Sequence, residues 1–520
     1  MADNQREMEK QERAMDYDDM GLSAVEIHQE KAIAVHPQLE KMKQNFRFFG
    51  LGCFLYACFY TFCRYHNAAG ITAPFLAAGT LIFCFYCLKQ LGVTIKKDGV
   101  LYAVLIELLG IHLCTTGDSF LITFDWIGML LLLVSGMLHQ IYEDRGWGPG
   151  SYFKAILQTV FGALEYLVSP FSDLKLFYHN KKSSSKRNGT VTYVLIGIGC
   201  GLPLVILVLC LLQSADAMFG QMLSSMFTGV EVPEHLIRII IMSVAVFLVF
   251  YGSLCKLCSH TLKVTDSEPK SYHPVIAVTI NAMLSVIYLV FCIIQIVYLF
   301  IRKGTLPSGY TYASYARQGF FQLLFVCLIN MILVLICLYY FRSNFLLKGM
   351  LTFITGCTYI MIASSAYRML LYIEMYQLTY LRVLVLWALA VIFCVMTGIF
   401  IYICRAQFPL FRYSMVVVAV LYLSLAYAKP DSMIASYNLS SRFLQKQEAM
   451  IDYSYLNRCS SDAAPVIADV MEAPAVREKP SAFDRFWEKM EAEEMTFRTY
   501  NFSKAEAKKL AEGRMEENIK

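Results

Sequence analysis

The chain has 520 residues, of which 57% are hydrophobic and only 16% are charged, and its mean hydropathy is +0.50. About a quarter of the residues of an ordinary soluble domain are charged, so this composition excludes a soluble globular protein and predicts a polytopic membrane protein. The formal net charge of +5 is small and is spread over the loops, which argues against a nucleic-acid partner. The lipid bilayer is therefore the first partner that the sequence predicts.

The chain begins with an acidic tail, residues 1–45, which lacks the basic start and the cleavage site of a signal peptide. Apolar runs long enough to cross a bilayer as helices follow it. They predict about eleven spans. These runs are residues 46–64, 71–90, 99–116, 119–140, 190–212, 236–255, 275–301, 319–341, 345–367, 383–404 and 409–428. The predicted fold is an all-α transmembrane bundle, with a four-span unit at 46–140 and a seven-span core at 190–428.

Two of these runs carry ionisable side chains. The third contains Glu107 and His112, and the fourth begins with Asp118 and Asp125. Charged groups are costly inside a bilayer, so this pair of spans is the least regular part of the prediction. If neither of these two runs crosses the membrane, the number of spans falls by two and every later span keeps its predicted orientation.

Residues 141–189 form a basic connection that contains the tract "KKSSSKR". Within it, Pro149, Gly150 and Pro170 bracket an apolar segment that is too short to span. This pattern predicts a helix lying in the membrane interface.

Lysine and arginine in short loops favour the cytoplasmic side. Loops on one side are rich in both, whereas "TTGDS" and the 213–235 loop contain neither. The asymmetry predicts a cytoplasmic N-terminus, an extracytoplasmic helical tail at 429–520 and a location in the plasma membrane.

The 17 cysteines mostly lie inside predicted spans, which favours buried small apolar side chains over disulfides. Cys459 lies in the tail without a neighbouring partner. The stretch "CKLCSH", with Cys255, Cys258 and His260, has only half of a zinc-binding spacing. We therefore predict no metal and no other cofactor.

The segment "YRMLLYIEMYQLTYLRVLVLW", residues 367–387, carries charges between two predicted spans. On one continuous helix, Arg368, Tyr372, Thr379 and Arg382 would share a stripe. Glu374 lies off that stripe and has no partner along the helix.

A second segment, "YTYASYARQGFFQLLF" at 310–325, enters the eighth span from the same side. We predict an ion pair between Arg317 and Glu374, and an outward-facing polar site formed by both segments. The alternative is that these arginines and tyrosines only anchor the helices among lipid headgroups. The site comprises Tyr315, Arg317, Gln318, Gln322, Arg368, Tyr372, Glu374, Thr379 and Arg382.

Both segments resemble a bacterial integral-membrane family, domain of unknown function 4173, and its relative 4153. The resemblance rests on "YARQGFFQLL" and on the 367–387 segment, with further similar pieces at "SADAMF", "IASYNL" and "YLNRCSSDAAP". Gln377 stands where the family pattern has a glycine. The resemblance implies a multi-pass fold but no activity.

Three function classes follow. The preferred one is a non-enzymatic ligand-binding or transport protein. The alternative is a sensor or scaffold that meets protein partners through its outer tail and its cytoplasmic N-terminus. A membrane enzyme is least favoured, because Asp216, Glu374 and Asp462 are isolated acids without a catalytic arrangement.

Overall fold

The computed structural model describes residues 36–144, 147–182, 234–262, 272–297, 319–440, 451–471 and 480–519, with isolated positions between 201 and 222. Throughout these segments the regular structure is helical, apart from a single bridge between Tyr272 and Phe341. Nine of the described helices are long and apolar enough to cross a membrane. The predicted all-α membrane class is confirmed.

The described part of the membrane region contains thirteen α-helices. They are α1 (Pro37–Gln44), α2 (Phe46–Arg64), α3 (Thr72–Leu91), α4 (Gly99–Leu113), α5 (Ser119–Ile141), α6 (Pro149–Gly162), α7 (Ser169–Lys182), α8 (Glu234–Cys258), α9 (Pro274–Gln295), α10 (Phe320–Tyr340), α11 (Phe345–Tyr376), α12 (Tyr380–Cys404) and α13 (Leu410–Tyr427). The predicted span at 190–212 and the basic tract at 181–187 lie largely outside the described residues, so the count of about eleven stays a prediction.

The C-terminal region, residues 430–519, continues directly from α13. Its helices are α14 (Pro430–Asn438), α15 (Tyr453–Leu456), α16 (Ala464–Met471), α17 (Asp484–Glu491) and α18 (Phe502–Ile519). They enclose a small core of their own, in which Ile467, Phe483 and Phe486 are fully buried.

The long helices alternate in direction, so their connections fall on two sides. Loops 65–71, 114–118 and 377–379 lie on one side together with the C-terminal region, and we call this the tail side. Loops 92–98 and 405–409 lie on the other, which we call the opposite side. The predicted topology, with a cytoplasmic N-terminus and an extracytoplasmic C-terminus, stays a prediction.

Three apolar cores hold the described part of the bundle together. One lies among α9, α10, α11 and α12, a second among α1, α2, α3, α5 and α8, and a third among α3, α4, α5 and α13. Large side chains such as Phe345, Met283 and Phe75 are instead mostly exposed on the outer faces. A contiguous apolar exterior of this kind is what lipid covers.

The charges on α4 and α5 are accommodated inside the fold. Asp118 lies just outside the membrane helix and caps α5, because its Oδ1 accepts from Phe120 N at 2.8 Å. Asp125 is fully buried and accepts from His112 Nδ1 at 2.7 Å and from the Tyr422 hydroxyl at 2.8 Å. Both runs therefore form helices, although α4 has 15 residues and reaches only about 22 Å.

The short apolar segment after α5 is helical, as predicted. Pro149 opens α6, where a missing N–H costs nothing. Phe153, Leu157 and Phe161 form an exposed stripe along it, and Leu164 in the following turn is also exposed. Its position in the membrane interface stays a prediction.

The "CKLCSH" stretch ends α8 on the opposite side. Cys255 and Cys258 are fully buried, and His260 stacks on His36 with ring centroids 3.7 Å apart. Burial and the neighbouring His36 lower the pKa of His260 to about 4. Among the described residues, no group of three or more His, Cys, Asp or Glu side chains is placed to hold a metal ion.

Candidate functional site

Asn501 joins the C-terminal region to the bundle. Its side chain is fully buried, and Nδ2 donates to three backbone carbonyls on two loops: Ala69 O at 3.3 Å, Leu113 O at 3.1 Å and Thr116 O at 2.9 Å. The adjacent Phe502 N donates to Cys114 O at 2.9 Å. One short stretch of the C-terminal region thus contacts loops 65–71 and 114–118 together.

Asp462 makes a second attachment to the same loop. Its carboxylate accepts from Thr116 Oγ1 at 2.6 Å, from Gly117 N at 3.3 Å and from the hydroxyl of Ser503. Lys429 Nζ lies 3.9 Å from Oδ1. The charge is therefore buried with donors from both the loop and the C-terminal region, as a buried carboxylate requires.

Two glycines allow the backbones to approach closely at this contact. A Cβ on Gly117 would lie 2.0 Å from Ser461 Oγ, and a Cβ on Gly70 would lie 2.7 Å from Arg498 O. A side chain at Gly70 would collide with the backbone of the C-terminal region, and one at Gly117 would displace the Ser461 hydroxyl from its hydrogen bond with Ser503. We call the contact made by loops 65–71 and 114–118 with residues 461–462 and 498–503 the dock.

The third tail-side loop is bound in the same way. Asn438 accepts from Leu378 N at 2.8 Å and donates to Leu378 O at 2.9 Å, while Tyr380 N donates to the Tyr455 hydroxyl at 2.8 Å. The C-terminal region therefore contacts both halves of the bundle on the tail side.

Buried carboxylates gather beside the dock. Asp431 accepts from Ser460 N at 2.7 Å. Burial raises the pKa of Asp431 above its ordinary value, and the neighbouring carboxylates of Asp118 and Asp462 raise it further, against the hydrogen bonds from Ser460. Three buried carboxylates, those of Asp118, Asp431 and Asp462, therefore lie in or beside the dock, and each accepts hydrogen bonds.

The predicted polar segment is divided by the fold. Helix α11 ends at Tyr376 and α12 begins at Tyr380. Arg368 and Tyr372 therefore lie on a different helix from Arg382, and the predicted single stripe is wrong. The reason is a turn at residues 377–379, which reverses the chain at the membrane surface.

Arg368 lies within the bundle. It is buried, and its Nη2 donates at 3.0 Å to Gln295 Oε1, which also accepts from Ser364 Oγ at 2.6 Å. The guanidinium therefore joins α9 to α11 by a charge-assisted hydrogen bond. Gln295 and Ser364 were absent from the predicted site, since both are ordinary polar residues within apolar runs.

Arg382 closes the end of α11. Its Nη1 donates to Tyr376 O at 2.7 Å and to Gln377 O, and its guanidinium lies 4.3 Å from the centre of the Tyr372 ring. A cation at a helix C-terminus satisfies carbonyls that lack intrahelical partners. Thr379 is the N-cap residue of α12.

Three of the predicted residues line one cavity. Tyr372, Thr379 and Arg382 surround about 380 Å³ together with Phe320 and other apolar side chains. Glu374 and Gln322 are exposed outside this cavity. Tyr315, Arg317 and Gln318 lie outside the described residues, so the Arg317 to Glu374 pair stays a prediction.

The turn at Gln377 has a backbone conformation that normally requires glycine. Its φ is 68° and its ψ is 179°, a region that non-glycine residues enter only under strain of about 1–3 kcal/mol. The chain therefore makes a tight turn here, although the residue is glutamine and not glycine.

We expect Gln377→Gly to raise the free energy of unfolding by about 1 kcal/mol, because strain relief exceeds the lost side-chain contacts and the greater freedom of the unfolded chain. Thermal unfolding of the purified protein in detergent measures the change. Gln377→Ala is the matched control, since it removes the side chain and keeps the strain. Equal melting temperatures for the two variants would contradict the prediction.

The fold and the docked C-terminal region define a multi-span helical membrane protein. A family model described as domain of unknown function (DUF4153) matches residues 103–470. The chain belongs to this family. The match includes the bundle from α4 onward and the Asp462 side of the dock, but not Asn501. The closer resemblance to group 4173 and a bacterial origin stay predictions. No curated protein and no solved structure matches the chain.

Proposed function

We propose that the protein is a non-enzymatic membrane sensor or scaffold. In this proposal the C-terminal region is the responsive element, and its attachment at the dock is communicated through the bundle to the opposite membrane surface. The observation that carries the proposal is the set of buried hydrogen bonds that Asn501 and Asp462 make to loops 65–71 and 114–118. We further propose a cytoplasmic N-terminus and an extracytoplasmic C-terminal region, in line with the loop charges.

A packed unit of α4, α5 and α13 supports communication across the bilayer. On the tail side, loop 114–118 carries the dock, and α13 continues into the C-terminal region. On the opposite side, Arg412 of α13 pairs with Asp98 at 2.8 Å, just before α4. Between these ends, the Tyr422 hydroxyl donates to Asp125 at 2.8 Å. Coupling between two distant sites can be carried by a contiguous set of packed helices and hydrogen bonds of this kind.

Binding of a small ligand on the tail side is the second candidate function. The cavity beside Arg382 and Tyr372 favours it, because apolar walls with a few polar groups are typical of ligand sites. The Arg382 guanidinium already donates to the Tyr376 carbonyl at the end of α11, so fewer of its N–H groups are available to a ligand. For this reason we rank sensing or scaffolding first.

The proposal is tested by replacing a glycine of the dock with alanine, because the added methyl group disturbs the close contact between the loops and the C-terminal region. We expect Gly117→Ala and Gly70→Ala, in the full chain in lipid nanodiscs, to raise amide hydrogen exchange at residues 496–503. We also expect a rise of at least threefold at residues 92–98 on the opposite side. Gly356→Ala is the matched control, since a Cβ at Gly356 has no neighbour within 4 Å.

Hydrogen exchange at residues 496–503 and at residues 92–98 distinguishes the possible outcomes. A rise at both, absent from the control, supports sensing across the bundle. A rise confined to residues 496–503 overturns the communication, and unchanged exchange at both regions overturns the dock as well.

A further inference from the structure

Three large aromatic side chains of the C-terminal region are exposed beside the dock. The exposed fraction is 89% for Phe497, 51% for Phe502 and 38% for Tyr500. The rings of Tyr500 and Phe502 pack edge to face with centroids 5.4 Å apart. All three side chains lie outside the apolar core of the C-terminal region, so the packing of that region does not account for them.

The backbone that carries these side chains is fixed to the ends of two neighbouring helices. Just before α3, Ile71 N donates to Tyr500 O at 2.8 Å, and just after α4, Phe502 N donates to Cys114 O at 2.9 Å. Asn501 lies between these two contacts and bonds to the same loops. This stretch of chain therefore stays at the helix ends for as long as the dock is formed.

Arg498 extends the contact to a third helix. Its Nη1 donates to Phe62 O at 2.8 Å, and its guanidinium carbon lies 5.8 Å from the centre of the Phe62 ring. Phe62 belongs to the last turn of α2, and its side chain is mostly exposed. An arginine that covers an apolar ring and keeps its charge at the end of a span is typical of the headgroup level of a bilayer.

The aromatic segment adjoins the part of the bundle that faces lipid. Each of the three helices it contacts carries an exposed apolar side chain near its tail-side end: Phe62 on α2, Phe75 on α3 and Ile111 on α4. Apolar surface of this kind on a membrane bundle is covered by lipid. The three aromatic side chains of the C-terminal region therefore continue the lipid-facing exterior at its tail-side edge.

The short length of α4 strengthens this placement. A helix of 15 residues reaches about 22 Å, whereas the hydrocarbon core of a bilayer is about 30 Å thick. A span that is too short draws the bilayer surface toward its ends. Phe502, which is bonded to the end of α4, supplies an apolar ring where the helix itself stops.

The turn that carries Phe497 satisfies polar groups of its own. Thr496 N donates to Thr499 Oγ1 at 2.8 Å, and the two threonine hydroxyls lie 3.0 Å apart. Backbone groups without hydrogen-bond partners are costly in lipid, and this turn reduces that cost. Between Met495 and Phe502, the sequence contains a single charged residue, Arg498.

We propose that Phe497, Tyr500 and Phe502 insert into the leaflet on the tail side and anchor the C-terminal region to the lipid bilayer. Aromatic rings are favoured at the boundary between headgroups and acyl chains. Arg498 lies at the level of the headgroups in this arrangement. The anchor goes beyond the proposed sensing function and does not depend on it.

Fluorescence quenching of the full chain in lipid nanodiscs tests the anchor. Phe497→Trp adds one indole at the most exposed of the three positions, where a substitution leaves the fold intact. The fluorescence of the unsubstituted protein is subtracted. We expect phosphatidylcholine with bromine in the upper part of its acyl chains to lower the added fluorescence about twofold, and bromine near the chain ends to lower it less.

Glu512→Trp is the matched control. Glu512 is exposed on α18, which packs on α16 and α17 within the C-terminal region. Brominated lipid should leave the added fluorescence of this variant unchanged. Aqueous iodide should quench it at least threefold more strongly than it quenches Phe497→Trp.

Three results would overturn the anchor. If iodide quenches both variants equally and brominated lipid quenches neither, the aromatic rings lie in water. If neither brominated lipid nor iodide quenches Phe497→Trp, another protein surface covers the ring, such as a second copy of the chain. If brominated lipid quenches both variants equally, the contact is not specific to residues 497–502.

Discussion

Asn501→Ala is expected to detach the end of the C-terminal region from the bundle. The substitution removes one amide that donates to three backbone carbonyls, those of Ala69, Leu113 and Thr116. Leaving a buried polar group unsatisfied costs about 1–3 kcal/mol. We therefore expect the docked state to lose about 3 kcal/mol relative to the detached state. Hydrogen exchange at residues 496–519 measures this loss as faster exchange.

Glu512→Ala is the matched control for this experiment. Glu512 lies on α18, in the same part of the chain, and its side chain is exposed. Substitutions at such positions usually change stability by less than about 0.5 kcal/mol. If Asn501→Ala exchanged no faster than Glu512→Ala, the hydrogen bonds of Asn501 would not hold the dock.

Asp125→Ala is expected to be the most destabilising single change within the bundle, at about 3–5 kcal/mol. Asp125 is fully buried and accepts from His112 Nδ1 and from the Tyr422 hydroxyl. Its loss leaves both donors without an acceptor at a depth where water is scarce. Thermal unfolding in detergent, followed by intrinsic fluorescence, measures the change.

Asp98→Ala provides the comparison for Asp125→Ala. Asp98 pairs with Arg412, but its side chain is 62% exposed, and exposed ion pairs contribute about 0–1 kcal/mol. Asp125→Asn should fall between the two, because an amide still offers one acceptor oxygen. Equal melting temperatures for Asp125→Ala and Asp98→Ala would contradict a stabilising role for the buried pair.

The contacts of Asn501 and those of Asp125 bear on function because both involve the hairpin formed by α4 and α5. Helices α4 and α5 carry the dock at loop 114–118 and the buried His112 and Asp125 pair. In the sensing function proposed above, this hairpin is the element that would carry a change at the dock toward loop 92–98 on the opposite side.

The positions of the helices followed closely from the sequence. The run at 46–64 corresponds to Phe46–Arg64, and the run at 319–341 corresponds to Phe320–Tyr340. Helix α11 extends beyond its predicted run, since polar residues such as Arg368 join the last turns of the helix. Backbone groups in lipid must bond within their own segment, so an apolar run of sufficient length specifies a helix locally.

The polar partners did not follow from the sequence. Arg368 bonds to Gln295, 73 residues away, and Asn501 bonds to Thr116, 385 residues away. Asn501 directly precedes α18, and Lys504 N donates to its Oδ1 at 3.2 Å, as at a helix N-cap. The neighbouring sequence does not identify the loops that its amide group reaches.

The sequence by itself therefore determined that this protein is a helical membrane bundle and where its described spans lie. Only the tertiary structure decided which polar groups meet and where the C-terminal region attaches. The physical reason is that burial in lipid depends on the summed hydrophobicity of one segment. A hydrogen bond depends on the distance and direction between atoms of two segments, which only the packed bundle defines.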